Sequence, residues 1–135
     1  MTHYLLDTNI VSDLVRNPQG KAAARIATID ERRICTSIIV AAELHYGAMR
    51  RGSARLTAQL ETVLGALDVL PFETPAELIY GELRCRLEAA GTPIGANDLL
   101  IAAHAMALGR ILVTDNVREF SRVADLKLEN WLREI

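Results

Sequence analysis

The sequence predicts an α/β fold with a mostly parallel central sheet of four to five strands and helices on both faces. Two observations predict it. Short, almost wholly apolar runs recur along the chain, each bounded by turn or capping residues, as strands buried on both faces require. Between them lie longer stretches with apolar residues at helical spacing, and strands alternating with helices build parallel sheets. The chain has 135 residues, half of them hydrophobic. That length suits one domain over 1–135, with no repeat, low-complexity tract or linker to divide it.

The elements follow in order. Tyr4-Leu5-Leu6 is the first strand and ends at Asp7-Thr8-Asn9. A helix begins there at once, with Ile10, Val11, Leu14 and Val15 at helical spacing. Asn17-Pro18-Gln19-Gly20 is a turn, and 22–29 a second short helix. Ile34-Cys35-Thr36 is the second strand, and Ser37 is placed to cap a helix over 38–49. Arg50-Arg51-Gly52-Ser53 breaks that helix, and Ser53 can cap the next, to about 64. Val69-Leu70-Pro71-Phe72 is the third strand. Thr74, with Pro75 after it and Glu77 three positions on, has the pattern of a capping box for a helix to about 90. After the loop 91–95, Asn97 or Asp98 opens an apolar helix that Gly109 closes. Ile111-Leu112-Val113-Thr114 is the fourth strand, and a tail strand near 126–128 with an anchoring Trp131 completes the order.

Composition narrows the function. Fifteen basic and 17 acidic residues leave a net charge of −2, which is no bulk attraction for nucleic acid. A polyanionic substrate must be met by a local patch or through bound cations. Aromatics make up only 4%, too few for a base-stacking platform to dominate. Cys35 and Cys85 lie far apart, outside any metal-ligand spacing, and read as buried reduced thiols. No secretory leader and no apolar run of spanning length are visible, so a cytoplasmic protein with no membrane contact is expected.

The carboxylates are where chemistry is expected. Asp7 falls at the carboxyl end of the first strand, where open α/β sheets bind ligands, and it also suits the N-cap of the following helix. Between Ile38 and Met49 the only strongly polar side chains are Glu43 and His45. Ile39 and Tyr46 flank Glu43 at i−4 and i+3, placing it on their apolar stripe. An unpaired buried carboxylate costs several kcal/mol. Glu43 therefore needs a cation, either a metal or an arginine such as Arg50 or Arg84. Asp98 sits in the first turn of a very apolar helix, suited to dipole neutralisation or, if Asn97 supplies the cap, to ligation. Asp115 and Asn116 end the fourth strand as Asp7 ends the first, in turn chemistry or on the rim of a shared crevice. Oxygen donors without a Cys/His set favour Mg²⁺ or Mn²⁺ over zinc, and few-carboxylate Mg²⁺ sites handle phosphate esters.

The segments carrying these acids resemble those of the PIN-domain nucleases, in particular the VapC-type toxins of bacterial toxin–antitoxin pairs. Leu5-Leu6-Asp7-Thr8-Asn9 is similar to the family's first motif and Ala41-Ala42-Glu43-Leu44-His45-Tyr46-Gly47 to its second. The stretch from Gly91 through Asn97-Asp98-Leu99-Leu100 to His104 is a long match to the third. Leu112-Val113-Thr114-Asp115-Asn116 through Phe120, with Leu128-Glu129-Asn130-Trp131, resembles the C-terminal signature. The resemblance spans essentially the whole chain. It implies a three-layer PIN fold and a Mg²⁺-dependent (or Mn²⁺-dependent) endoribonuclease acting on structured RNA such as tRNA, which would inhibit translation. The implied catalytic set is Asp7, Glu43, Asp98 and Asp115. Asp7, Asp98 and Glu43 would hold the metal, with Thr8, Asn9, Thr114 and Asn116 hydrogen-bonding around them. The family's fourth acid commonly stands two residues after the threonine. Here Asn116 occupies that place, which leaves Asp115, Asn116 and Glu119 as candidates.

The resemblance also implies a homodimer, a cognate VapB-type antitoxin, a larger toxin–antitoxin complex, and DNA contact only through the antitoxin. The helices over 10–15 and 38–49 would be the antitoxin's contact face. Arg50, Arg51, Arg55, Arg110, Arg118 and Arg122 are candidate phosphate contacts, each equally at home on a solvated surface. His45 and His104 read as core or interface histidines. A phosphatase of the haloacid-dehalogenase kind would need an aspartate where Asn9 stands, and a receiver domain a strand-end lysine. The remaining alternative is a binding subunit of a DNA-bound repressor complex.

Overall fold

A computed structural model describes residues 1–134. Its elements are β1 (Tyr4–Leu6), α1 (Thr8–Arg16), α2 (Lys21–Ile26), β2 (Ile34–Ser37), α3 (Ile38–Arg51), α4 (Ala54–Gly65), β3 (Asp68–Leu70), α5 (Ala76–Ala89), α6 (Ala96–Leu108), β4 (Ile111–Val113), α7 (Val117–Phe120) and β5 (Leu128–Glu129). The five strands form one sheet in the order β3-β2-β1-β4-β5, every pairing parallel. The expected α/β class and parallel sheet are what the chain forms.

The sheet is parallel because no hairpin joins its strands; each is followed by helix before the next. The chain adds β2 and then β3 on one side of β1, then returns to place β4 and β5 on the other. The order therefore reverses between β1 and β4. α1 packs on α2, α3 and α4, and α5 packs on α6.

The apolar runs are buried as such a sheet demands: Leu5, Leu6, Cys35, Leu112 and Val113 are all sealed from solvent. Leu5→Ala, at the centre of the middle strand, is expected to cost about 2–5 kcal/mol. A lowered urea midpoint at unchanged m-value would show it; a midpoint within experimental error of wild type would contradict this packing.

Several local expectations are corrected. The Thr74–Glu77 capping box does not form: Pro75 precedes α5 with no side-chain cap. Neither Asn97 nor Asp98 caps α6, which starts after Gly95, again without a side-chain cap. Gly109, Ser37 and Ser53 act as expected, Gly109 with φ 65° and the two serines accepting helix N–H groups. Cys35 is buried, and burial pushes its thiol pKa up to about 11. Cys85 is exposed, because it lies two residues from buried Leu83 and so faces away from the core. The tail strand is Leu128–Glu129, and Trp131 packs edge-on to Tyr4 at 5.1 Å between centroids.

Candidate active site

Open parallel sheets bind ligands outside the carboxyl ends of strands where the order reverses. Asp7 follows β1 and Thr114 follows β4 at that point, and the Asp7 N–H donates to the Val113 carbonyl at 2.9 Å. The side chain of Asp7 is only 2% exposed. Its Oδ1 accepts the Thr8 N–H at 2.8 Å, and its Oδ2 accepts the Thr114 hydroxyl at 2.7 Å and the Asn9 amide at 3.3 Å. Asp7 is thus both the cap of α1 and an acid at the crevice. Burial raises its pKa, the Thr114 and Thr8 donors partly offset that, and the charge of Glu43 adds to it.

Glu43 comes from α3, half-buried. The Thr8 hydroxyl donates to its Oε1 at 2.8 Å, so one residue ties β1's acid to α3's. The stripe that Glu43 shares with Ile39 and Tyr46 opens toward solvent, since Tyr46 is 65% exposed. Among the described residues no arginine or lysine pairs with Glu43. The salt bridge to Arg50 or Arg84 is therefore absent; Arg84 pairs with Glu88 at 3.2 Å instead.

The acid that lies beside Asp98 is Glu119. Its Oε1 accepts the Gly95 N–H at 2.8 Å, and its Oε2 accepts the Asn116 amide at 2.7 Å. The carboxyls of Asp98 and Glu119 interact directly, which raises the Asp98 pKa and lowers that of Glu119. Burial, that interaction, and the charges of Glu119, Asp7 and Glu43 push the Asp98 pKa up to about 8. Glu119 is lowered by the Asp98 carboxyl first, then by the Gly95 N–H and Asn116.

Asp115 is not brought to the other acids. Arg133 clamps its two carboxylate oxygens at 2.6 and 2.8 Å and Asn130 donates to it at 3.0 Å, which lowers its pKa. Its main chain serves the site instead, the Asp115 N–H donating to Asn9 Oδ1 at 2.9 Å. The Asn116 N–H donates to the Thr114 hydroxyl at 2.9 Å. Thr8, Asn9, Thr114 and Asn116 thus all hydrogen-bond around the acids. His104 is buried, its Nδ1 2.8 Å from the Ser37 hydroxyl, and its ring edge-on to Phe72. Burial lowers its pKa. It sits in the core between α6 and β2, whereas His45 is only half-buried on α3.

Among the described residues no three acidic, histidine or cysteine side chains stand close enough together to hold a metal ion as they are placed. The donor set nevertheless fits a hard divalent cation. It is all oxygen, no basic side chain among the described residues pairs with Asp7, Glu43 or Asp98, and burial, then the neighbouring carboxyls, raise the Asp98 pKa.

Known proteins carry the same arrangement of chain. The PIN domain family model matches residues 4–126. Ribonuclease VapC2 of Rickettsia felis is 40% identical over 130 residues, covering 95% of this chain and 97% of that protein. The tRNA(fMet)-specific endonuclease VapC of Salmonella typhimurium is 35% identical over 132 residues, covering 97% and 99%. In the crystal structure of VapBC2 from Rickettsia felis bound to a promoter DNA fragment, one chain superposes with a TM-score of 0.88 at 36% identity, covering 96% of this chain and 99% of that one. The family model spans most of the chain and the likeness to these relatives runs nearly end to end, so this chain belongs to the PIN-domain family, in its VapC branch.

Proposed function

We propose that this chain is a Mg²⁺-dependent endoribonuclease, the toxin of a toxin–antitoxin pair, which hydrolyses phosphodiester bonds in structured RNA and so inhibits translation. The observation that carries it is a line of acids around the switch point between β1 and β4: Asp7 and Glu43 joined through Thr8, and Asp98 beside Glu119, each feeling its neighbours' charge, with no basic side chain among the described residues paired to Asp7, Glu43 or Asp98. Asp7, Asp98 and Glu43 are the residues that would hold Mg²⁺, with Mn²⁺ able to replace it. A divalent cation bound there supplies Lewis acidity toward a phosphodiester and toward water.

The chain's own groups do the rest. Thr114, Thr8 and Asn9 fix the Asp7 carboxylate by three hydrogen bonds, so its oxygens need not reorganise. The Thr8 hydroxyl sets the rotamer of Glu43 and leaves Oε2 open to a ligand or water. Glu119, held by Gly95 and Asn116, is placed to keep or return a proton at Asp98. Since one relative is named for tRNA(fMet), the initiator tRNA is the first substrate to try. The relatives solved as VapBC complexes, two of them bound to DNA, support an antitoxin of the VapB type as partner; a homodimer, and DNA contact through the antitoxin, belong to the same proposal. A cytoplasmic location fits such a substrate, and among the described residues no helix is long and apolar enough to cross a membrane.

The test is cleavage of an initiator tRNA transcript by purified protein with Mg²⁺ and with EDTA. Discrete fragments only with the metal support the reading, and an intact transcript under both conditions overturns it.

The proton on Asp98 gives a pH signature. Its folded pKa of about 8 lies above that of an unfolded aspartate, so this group weakens the metal-free fold progressively as pH rises from about 4 toward 8. Cation binding must release that proton below pH 8, so affinity should rise with pH, by at most about tenfold per unit for one proton. Melting curves in EDTA and with Mg²⁺ between pH 6 and 8.5 check both signs. A metal-induced gain in Tm that shrinks with rising pH would contradict the proton's place.

A further inference from the structure

The acids of the site repel a nucleic acid, and the net charge of −2 offers no general attraction, so the polyanion must be gripped beside the site. Arg50, Arg51, Arg55 and Arg118 are exposed, but Arg110 donates to the Tyr4 carbonyl at 3.2 Å and Arg122 to the Pro93 carbonyl at 2.8 Å. A different set of cations lines a concave surface. An open groove of about 650 Å³ runs along the end of α1 and the start of α2, lined by Arg16, Asn17, Gln19, Lys21 and Arg133. Asp13 lies on its floor, 9% exposed, and pairs with none of these cations.

We propose that this groove is a phosphate-backbone track that holds the RNA to one side of the acids; the proposal rests on the nuclease reading above. Two features carry it. The first is continuity: Arg16 also lines the groove that contains Glu43 and Arg51, so the cationic surface abuts the site. α1 carries Asp7 at its N-cap and Arg16 as its last residue, and nine residues at 1.5 Å each put the cation roughly 13 Å along the helix from the acid. The second is free charge. Among the described residues Arg16 and Lys21 make no ion pair, whereas Arg133 is committed to Asp115.

Lys21, the first residue of α2, is exposed at the groove. Gln19, exposed on the intervening turn, adds a neutral donor suited to phosphate oxygens, while the Asn17 amide donates to Asp13 Oδ1 at 2.8 Å.

The test compares wild type with the double variant Arg16→Gln, Lys21→Gln on two probes, an initiator tRNA transcript and a short single-stranded oligonucleotide too small to reach from the acids to the groove. Transcript affinity is measured by filter binding in Ca²⁺ from 50 to 200 mM NaCl, and cleavage in Mg²⁺. Removing one cation–phosphate pairing flattens the salt slope by about one. The double variant should therefore show a slope lower by about 1.5–2, and a KM for the transcript raised about 5–10-fold without a matching fall in turnover at saturation. The oligonucleotide should be cleaved as by wild type. An unchanged slope and KM would overturn the track, as would equal losses on both probes. Loss of a co-purifying protein partner with transcript binding intact would assign the groove to protein and overturn it too. If wild type cleaves neither probe, the nuclease reading fails, while the salt slope still reports on the groove.

Discussion

Asp7→Asn protein is expected to fold as well as wild type and to cleave RNA about 10²–10³-fold more slowly or worse. The two halves of this expectation come from the same surroundings. A 2% exposed carboxylate with a pKa raised by burial is a group the fold carries at a cost. Asparagine keeps one acceptor for the Thr8 N–H and presents an amide where Oδ2 stood, opposite a Thr114 hydroxyl that can rotate to accept, and gives up only the longer 3.3 Å bond from the Asn9 amide. The metal-free variant should therefore melt at or above the wild-type temperature, most clearly at high pH where wild-type Asp7 carries its charge. What it loses is one formal charge at the point where β1 and β4 converge. Stability kept with activity lost identifies a functional acid, because a structural one would lose both. Wild-type cleavage by pure Asp7→Asn protein would remove Asp7 from the mechanism, and the proposed metal site with it.

The fold class was legible because its signal is local. Tyr4-Leu5-Leu6 and Ile111-Leu112-Val113 are apolar runs too short for helices, and the intervening α3 and α6 show helical caps and periodicity. The acids Asp7, Glu43 and Asp98 were legible because each interrupts an apolar pattern at an element's end or on its face. The helix α7 was not, since its four residues span about one turn and carry no periodicity. The capping box at Thr74 failed for a related reason: the residue pattern matches, but the backbone around Pro75 does not bring the hydroxyl to a helix N–H.

Choosing between Asp115 and Glu119 lay beyond local pattern altogether. Both lie within a few residues of Thr114 on a chain that turns sharply. What separates them is a contact from the far C-terminus: Arg133, 18 residues on, occupies the carboxylate of Asp115. One turn of α7 swings Glu119 back over Gly95, with Phe120 fully buried beneath to hold that turn in place. The sequence contains Arg133, but nothing in the sequence pairs it with Asp115.

That difference makes the second large effect. Glu119→Gln is expected to lower turnover about 10–100-fold, the usual loss when a group orienting a site's ligand is changed. The amide keeps one carbonyl acceptor for the Gly95 N–H or Asn116 but withdraws a charge that raises the Asp98 pKa, which should fall while burial and the charges of Asp7 and Glu43 keep it above the ordinary aspartate range. Asp115→Asn removes an ion pair whose arginine is 69% exposed, worth at most about 1 kcal/mol. It leaves untouched the Asp115 N–H that holds Asn9. Its turnover should stay within about threefold of wild type. The pair of variants, assayed on the same RNA at saturating Mg²⁺ with melting temperatures recorded alongside, ranks the two acids directly. The opposite ranking, a crippled Asp115→Asn beside an active Glu119→Gln, would mean that Arg133 releases Asp115 when substrate binds and that Asp115 is the fourth acid after all.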